Sequence, residues 1–572
     1  MTIETLSVVL PPSEVDVLIV GGGPSGSYAA SVLAREGISV VVLEAAKFPR
    51  YHIGESLLPS VRGYLRFIGA EEKVAKYGFT RKPGGAIRFN HNKQEAYTDF
   101  VSIGQENSSW NVVRSEFDEL LLNHARSCGA SVFEQTKATA VNFEYANDFE
   151  IKKPTSVSWA LTPPGKGQTS CKETSNTAIR GTTSFKYLID TSGRAGLMST
   201  KYLNNRHFNQ ALKNIAIWGY WENVGSYGVG TPREGAPYFE ALLDESGWAW
   251  FIPINNGTTS VGFCRNQKMH NDDKELNQTA PSGLSLPDIA RSTTATRYMT
   301  MLSLAPGIIK LITAQGSFVE GSVKSASDYS YSAPSYSGPG FRIAGDAGAF
   351  IDPFFSSGVH LALTSALSAA VSVSASIKGD CTEEDAAKWH TARFATSYTR
   401  FQLVVLSAYK QLRAQNLNIL SDVGEDNYDR AFAFLRPVIQ GNAEMGVRLY
   451  ERELQESLDF CVKLFSDTAP ESHIELVSNS NIAQELLDLT APVVGPQDLE
   501  RALSVAASQS KNTDDLETRR NQEATKMVLE KINARKVLNP EYTLNGFEAE
   551  AMNGFSIRLE RGKLGLRRAL DS

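Results

Sequence analysis

Glycines 21, 23 and 26 are spaced as G-x-G-x-x-G, and the chemistry open to that spacing is the binding of a dinucleotide pyrophosphate. The first glycine permits a tight turn, the second lets backbone approach the phosphates, and the third lets helix pack on strand. Gly21, Gly23, Ser25 and Gly26 lead into a helix, whose free N–H groups and macrodipole favour negative charge. Glu44, about 20 residues on, can accept hydrogen bonds from a ribose diol. Directly behind this motif a loop, Phe48–Pro59, holds His52, Glu55 and Ser56, and reads either as a site or as a surface connection. Arg114 precedes a helix and either reaches a phosphate or cofactor edge or lies exposed. Gly345-Asp346 closes a strand, and Ser356-Ser357-Gly358 leads into a helix whose oriented N–H groups form an anion-binding concavity. Lys82, just before Gly84-Gly85, reads by itself as a solvated surface residue. Trp248, Trp250 and Ile252 share one strand face at period two, a pattern of core or interface.

The elements that must position these residues are visible as apolar runs. Val15–Val20 is a buried strand, Ser25–Arg35 a helix closed by Gly37, and Ile38–Leu43 a second strand, which together make one βαβ unit around an adenine dinucleotide site. An amphipathic helix is expected over Val61–Lys76, extended chain over Phe79–Phe89, and a helix over Ser115–Cys128 capped by Ser115. The polar stretch 147–183 reads as a long hairpin and Tyr187–Arg194 as a strand ending at Asp-x-Ser-Gly. Asn214–Val224, Tyr238–Leu243, Gly247–Ile254 and Thr258–Arg265 follow as strands of a mostly antiparallel sheet, with a polar loop over 267–294. From about residue 400 the pattern is helical: 401–415, 427–439, 445–466, 481–489, 497–507 and a charged stretch over 511–536.

At 572 residues the chain exceeds one ordinary core. Its 42% hydrophobic and 21% charged content is that of a soluble globular protein. A net charge of -6 without a dominant basic run argues against a nucleic-acid surface. The first fifteen residues lack the pattern of a secretory signal. Five scattered cysteines form neither a disulfide framework nor a metal spacing, which places the chain in a reducing cytoplasm. The eight histidines lack an H-x-x-x-H pair, so no metal site is expected. Val359–Ile377 is the most membrane-like stretch, but its His360 and many Ser and Thr suit a buried helix better than a span.

Taken together, the glycine motif, Glu44, Arg114, Asp190-x-Ser-Gly and Gly345-Asp346 resemble the class A flavoprotein monooxygenase scaffold over roughly residues 14–375. Trp248-Ala-Trp250-Phe-Ile252-Pro253 fits W-x-W-x-I-P, and Lys82 stands in Gly78-Phe-Thr-Arg-Lys-Pro-Gly84. With His52–Pro59 and Asp352–Gly358, these resemble the flavin-dependent halogenases, specifically the fungal kind acting on phenolic polyketides. The fold this implies is α/β: an FAD-binding Rossmann-like (glutathione-reductase-type) domain, an antiparallel-sheet substrate domain and a helical C-terminal domain. The first two interleave within residues 1–400, with the substrate sheet mainly over 79–113 and 205–335, and the helical domain takes 401–572. The resemblance implies FAD used as FADH2, supplied by a separate NAD(P)H-dependent flavin reductase, with chloride as co-substrate. In it Lys82 relays hypochlorous acid to a phenolic substrate, Trp248 and Trp250 wall off the substrate, and Glu55 lies on the strap joining the two sites. Asp346 bonds the ribityl or pyrophosphate portion, and Ser356, Ser357 and Gly358 hold the halide, Gly358 also beginning the helix that faces the flavin. Tryptophan halogenases place a glutamate before their Ser-Thr-Gly; Phe355 stands there here, which argues against tryptophan as substrate. Two other readings stay open: an FAD-dependent aromatic hydroxylase using NAD(P)H directly, and a non-catalytic flavin-binding protein that interacts through its helical domain.

Overall fold

A computed structural model describes residues 9–412 apart from 92–94, 102–104, 145–152, 163–177, 273–292 and 314. Beyond 412 it describes chiefly 483–488 and 550–569, with a few isolated positions. The expected helices over 427–439 and 445–466, and nearly all of those over 497–507 and 511–536, lie outside the described residues.

The opening strand, Glu14–Val20, lies at the centre of a sheet because both its neighbours and both its faces are apolar. It pairs in parallel with Val40–Leu43 on one side and Ile179–Asp190 on the other, and Phe341–Ile343 adds to the latter. The register sets Val20 opposite both Leu43 and Asp190, and Asp190 opposite Ile343. Four strands therefore end at one level, so Gly21, Glu44, Thr191 and Gly345-Asp346 all leave the same carboxyl edge, where open α/β sheets bind ligands. Two helices cover one face. Pro24–Arg35 packs against Gly358–Lys378, and the latter is buried along 94% of its apolar window. That apolar stretch is thus a core helix within the protein.

The second sheet is mostly antiparallel. Asn214–Glu222 pairs with Thr258–Asn266, which pairs with Gly247–Pro253, which pairs with Tyr238–Ala241. A parallel joint then links Tyr238–Ala241 to Gly84–Arg88. Lys82 is not part of this sheet. Pro83 has no N–H to donate, and the chain breaks there, so Thr80–Lys82 makes its own ladder with Ser109–Asn111.

Several expectations shift. The helix expected over Val61–Lys76 is Val61–Ile68 followed by Glu71–Ala75, because Gly69 adopts φ 79° and ends the first piece. Ser115 is not a cap: the helix runs Arg114–Ser127 from an N-cap at Val113. The loop expected over 267–294 is helical at both described ends, Gln267–Asp272 and Thr293–Met301. The junction expected at 400/401 falls inside one continuous helix, Glu383–Leu412. Phe394, Tyr398, Phe401, Val405, Tyr409 and Leu412 recur on one buried face at helical spacing, so nothing local interrupts it. The last described segment is a hairpin, Phe555–Arg558 with Gly565–Arg568, whose Ile557, Leu564 and Leu566 enter the same core cluster as the opening βαβ unit.

Candidate active site

A cavity of about 650 Å³ starts at the glycine turn, passes Glu44, Arg50, Arg114 and Asp346, and ends against Trp248 and Trp250. The turn is built for close backbone approach. Gly21 sits at φ 104°, and a Cβ there would lie 2.3 Å from the Thr191 carbonyl; one at Gly26 would lie 1.9 Å from the Gly21 carbonyl. Glu44 ends its strand with Oε2 accepting from Gly22 N–H at 2.6 Å and Oε1 from Ala46 N–H at 2.8 Å, which fixes its carboxylate on the cavity wall. The Ser25 hydroxyl, on the first helical turn, is buried without a partner among the described residues. Burial pushes Asp346 up to about 6 against the pull of Arg114, Arg194 and Arg206. A glycine cradle with an orphaned hydroxyl, a carboxylate fixed on the turn and a second acid on the same cavity wall fit a flavin dinucleotide.

Arg114 is not exposed: it is buried on the cavity wall. Its guanidinium forms a two-point ion pair with Asp118 at 2.9 and 3.2 Å and donates to the carbonyls of Ile53 and Gly54, so it pins the strap. Arg50 also lines the cavity beside the glycine turn: its Nη2 would lie 3.3 Å from a Cβ on Gly23, and it pairs with Asp118 at 3.2 Å.

Glu55, from the middle of the strap, lines the cavity beside Trp218, and Tyr220 donates to its Oε1 at 2.6 Å. Trp248 and Trp250 wall the far end with ring centroids 5.5 Å apart. Trp250 faces Gly262 across the ladder, where a Cβ would sit 2.2 Å from its ring. Gly262→Ala must therefore displace the indole into the cavity, expected as a shifted tryptophan emission and weaker flavin binding in a fluorescence titration.

Lys82 lies on the other side of the strap. It is 3% exposed, and its Nζ donates to the Leu57 carbonyl at 3.0 Å with the Phe100 ring 5.2 Å away. Burial alone lowers its amine to about 7. Lys82 is not on the cavity wall, but Ser56, next to Leu57, is, and Ser56 bridges Asn111 on the strand beside Lys82. Ser109, directly opposite Lys82, and Asn111 on the same face both carry buried oxygens without partners among the described residues. Adjacent strap residues thus touch the amine at Leu57 and the cavity at Ser56.

The sequence comparisons now bear on this geometry. Residues 14–148 match an FAD binding domain family, and residues 176–416 match a family described as tryptophan halogenase. A flavin-dependent halogenase of Armillaria mellea is 48% identical over 556 residues, covering 97% of this chain and 98% of that one. The chain belongs to the flavin-dependent halogenases. Another halogenase of this kind, from Acremonium egyptiacum, is 46% identical over 561 residues, covering 97% of this chain and 93% of that one. Among solved structures, the myxobacterial chondrochloren halogenase CndH is 26% identical with a TM-score of 0.60, covering 79% of this chain and 97% of that one.

In this halogenase the Asp352–Gly358 loop folds as a short turn ahead of the helix Gly358–Lys378. The Ser356 N–H, one of three amides expected to face a halide, is committed to the Pro353 carbonyl at 2.9 Å, because Ser356 closes that turn at φ 56°. Ser357 carries a buried hydroxyl without a partner among the described residues, and Gly358 lies on the cavity wall.

Behind the loop is a buried polar knot that sequence reasoning missed. Asp352 Oδ2 accepts from Asn214, Cys264 and Tyr409, and Tyr409 Oη in turn accepts from Trp248 Nε1 at 2.8 Å. The halogenase therefore anchors its tryptophan wall and its Asp-Pro loop to a single hydroxyl on the helix Glu383–Leu412. Tyr409→Phe leaves both the indole N–H and an Asp352 lone pair unpaired, expected to destabilise the protein by about 1–3 kcal/mol in a denaturant titration.

Proposed function

We propose that this halogenase chlorinates a free phenolic, polyketide-type aromatic, using chloride, O2 and FADH2 from a separate NAD(P)H-dependent flavin reductase in the cytoplasm. The observation that carries this is the buried Lys82 amine, separated from the flavin cavity by the strap and lowered to about 7, so that neutral amine is available.

Reduced FAD, when bound, supplies the two electrons that activate O2. The glycine turn, Ser25, Glu44 and Asp346 would hold the cofactor, Arg50 would balance its phosphates, and Arg114 pins the strap on the same wall. The Ser357 and Gly358 amides, at a helix N-terminus, attract the halide. Trp248 and Trp250 close the cavity toward the aromatic substrate. Lys82 takes up hypochlorous acid, either by hydrogen bonding it or by forming N–Cl with release of water. It then presents electrophilic chlorine to the ring, and the displaced ring proton restores the amine. Phe355, standing where tryptophan halogenases carry a glutamate, leaves the reacting ring to supply its own activation, as a phenol does.

Incubating the protein with phenolic polyketides, a flavin reductase, NADH and chloride, then recording mass spectra, tests this reading. Products carrying the chlorine isotope pair are expected; hydroxylated products formed without halide would contradict it.

A further inference from the structure

Halogenation of a C–H bond by halide consumes a proton. With Ar–H, X⁻, O2, FADH2 and H⁺ giving Ar–X, FAD and two H2O, halide loses two electrons, reduced flavin loses two and O2 gains four. A site walled by two tryptophans and a buried strap must draw that proton from solvent along a defined path.

We propose that Tyr51, Tyr220 and Glu55 form that inlet. Tyr51 is 48% exposed, and its Oη lies 3.0 Å from that of Tyr220, which donates to Glu55 Oε1 at 2.6 Å. Trp218 Nε1 donates to Tyr51 Oη at 2.7 Å, which occupies a lone pair of that oxygen and leaves its O–H to point at Tyr220. Every donor in the chain is then oriented from solvent toward the cavity, whose wall includes Glu55. Glu55 Oε2 is buried with no partner among the described residues, which leaves it as the delivering end. Burial raises the Glu55 carboxyl against the opposing pull of Tyr220, Ser260 and Arg114, which favours the protonated form that the inlet requires. Lys324 stands over the Tyr51 ring at 4.7 Å and marks the solvent end.

In the transfer, a solvent hydronium protonates Tyr51 Oη and becomes water as the tyrosine's hydroxyl proton passes to Tyr220 Oη. The Tyr220 proton passes to Glu55 Oε1, and Glu55 releases the proton on Oε2 to the oxygen that departs as water. Each tyrosine oxygen gains one O–H bond as it loses one, Glu55 gains a proton on Oε1 as it loses that on Oε2, and rotation of the carboxyl group and of the two hydroxyls resets the chain. The inference rests on halogenation being the reaction and is independent of which phenol is used.

The first test needs no cofactor. An infrared difference spectrum between wild-type and Glu55→Gln protein should contain a carboxylic-acid C=O band, and Tyr220→Phe should move it to higher frequency by removing the bond to Oε1. With FAD bound, Tyr220→Phe should lose ~100-fold in kcat with unchanged KM for the aromatic substrate and an enlarged solvent isotope effect, and added formic acid should restore turnover. Tyr51→Phe should move all three in the same direction. Absence of the acid band, or Tyr220→Phe turnover within about twofold of wild type, would overturn the inlet. If wild-type protein chlorinated no phenol, the substrate reading would fail while the infrared result still decided the state of Glu55.

Discussion

Lys82→Met is expected to lower chlorination by on the order of 10³-fold while FAD content stays normal. The side chain ends at Leu57 and Phe100 on the far side of the strap, away from the cavity wall, so its loss leaves the cradle intact. Methionine fills similar volume without an amine, which separates chemistry from packing. The same variant carries a stability signature with a fixed sign. Burial holds the native amine at about 7 against 10.5 for an ordinary lysine, so between those values the unfolded chain binds more protons than the native one. Wild-type stability relative to Lys82→Met should therefore rise as pH increases from about 7 to 10, and stay flat below 7. Denaturant midpoints of the two proteins measured across that range check it. A difference that did not change with pH would mean that the amine titrates as it does in water.

Gly26→Ala is expected to abolish FAD binding. Its Cβ would meet the Gly21 carbonyl at 1.9 Å and the Thr191 hydroxyl at 2.6 Å, and the first of these is backbone at the centre of the sheet. Helix Pro24–Arg35 must then lift from the opening strand, at a cost of about 1–3 kcal/mol or more for overpacking, and the phosphate position moves with it. Gly23→Ala supplies the contrast, because its Cβ would approach only the movable tip of Arg50 at 3.3 Å. That variant should fold normally and bind FAD more weakly through lost backbone approach. Flavin absorbance of the purified proteins, read against protein absorbance, distinguishes the three cases. Normal flavin content in Gly26→Ala would show that the helix tolerates the displacement.

The parts of the site legible in the sequence are those fixed by local spacing. The glycine turn, Glu44 and the tryptophan pair are each set by a period of the element they belong to, so strand and helix geometry alone places them on the cavity. The burial of Lys82 was not legible from its neighbours, since it depends on Leu57 and Phe100 and on a ladder formed with Ser109–Asn111. Arg114 was open between two roles, yet Asp118 stands four residues on, and an i,i+4 pair on one helix was a signal for the ion pair observed. The chain from Tyr51 to Tyr220 joins residues 169 apart in sequence, and the Asp352 knot draws Tyr409 from a helix whose register no local pattern ties to the loop. Gly69 was a stop signal that the amphipathic pattern around it outweighed, although a left-handed glycine ends a helix whatever its faces.

The relay by Lys82 is tested most directly by where the oxidising chlorine goes. Wild type and Lys82→Met would each be run with reductase, NADH, chloride, a phenolic substrate and an excess of a freely diffusing chlorine trap. Wild type should place chlorine on the phenol at one ring position, whereas Lys82→Met should consume FADH2 at a similar rate and place chlorine only on the trap. Chlorination of the phenol by Lys82→Met, at the wild-type position and rate, would contradict the relay.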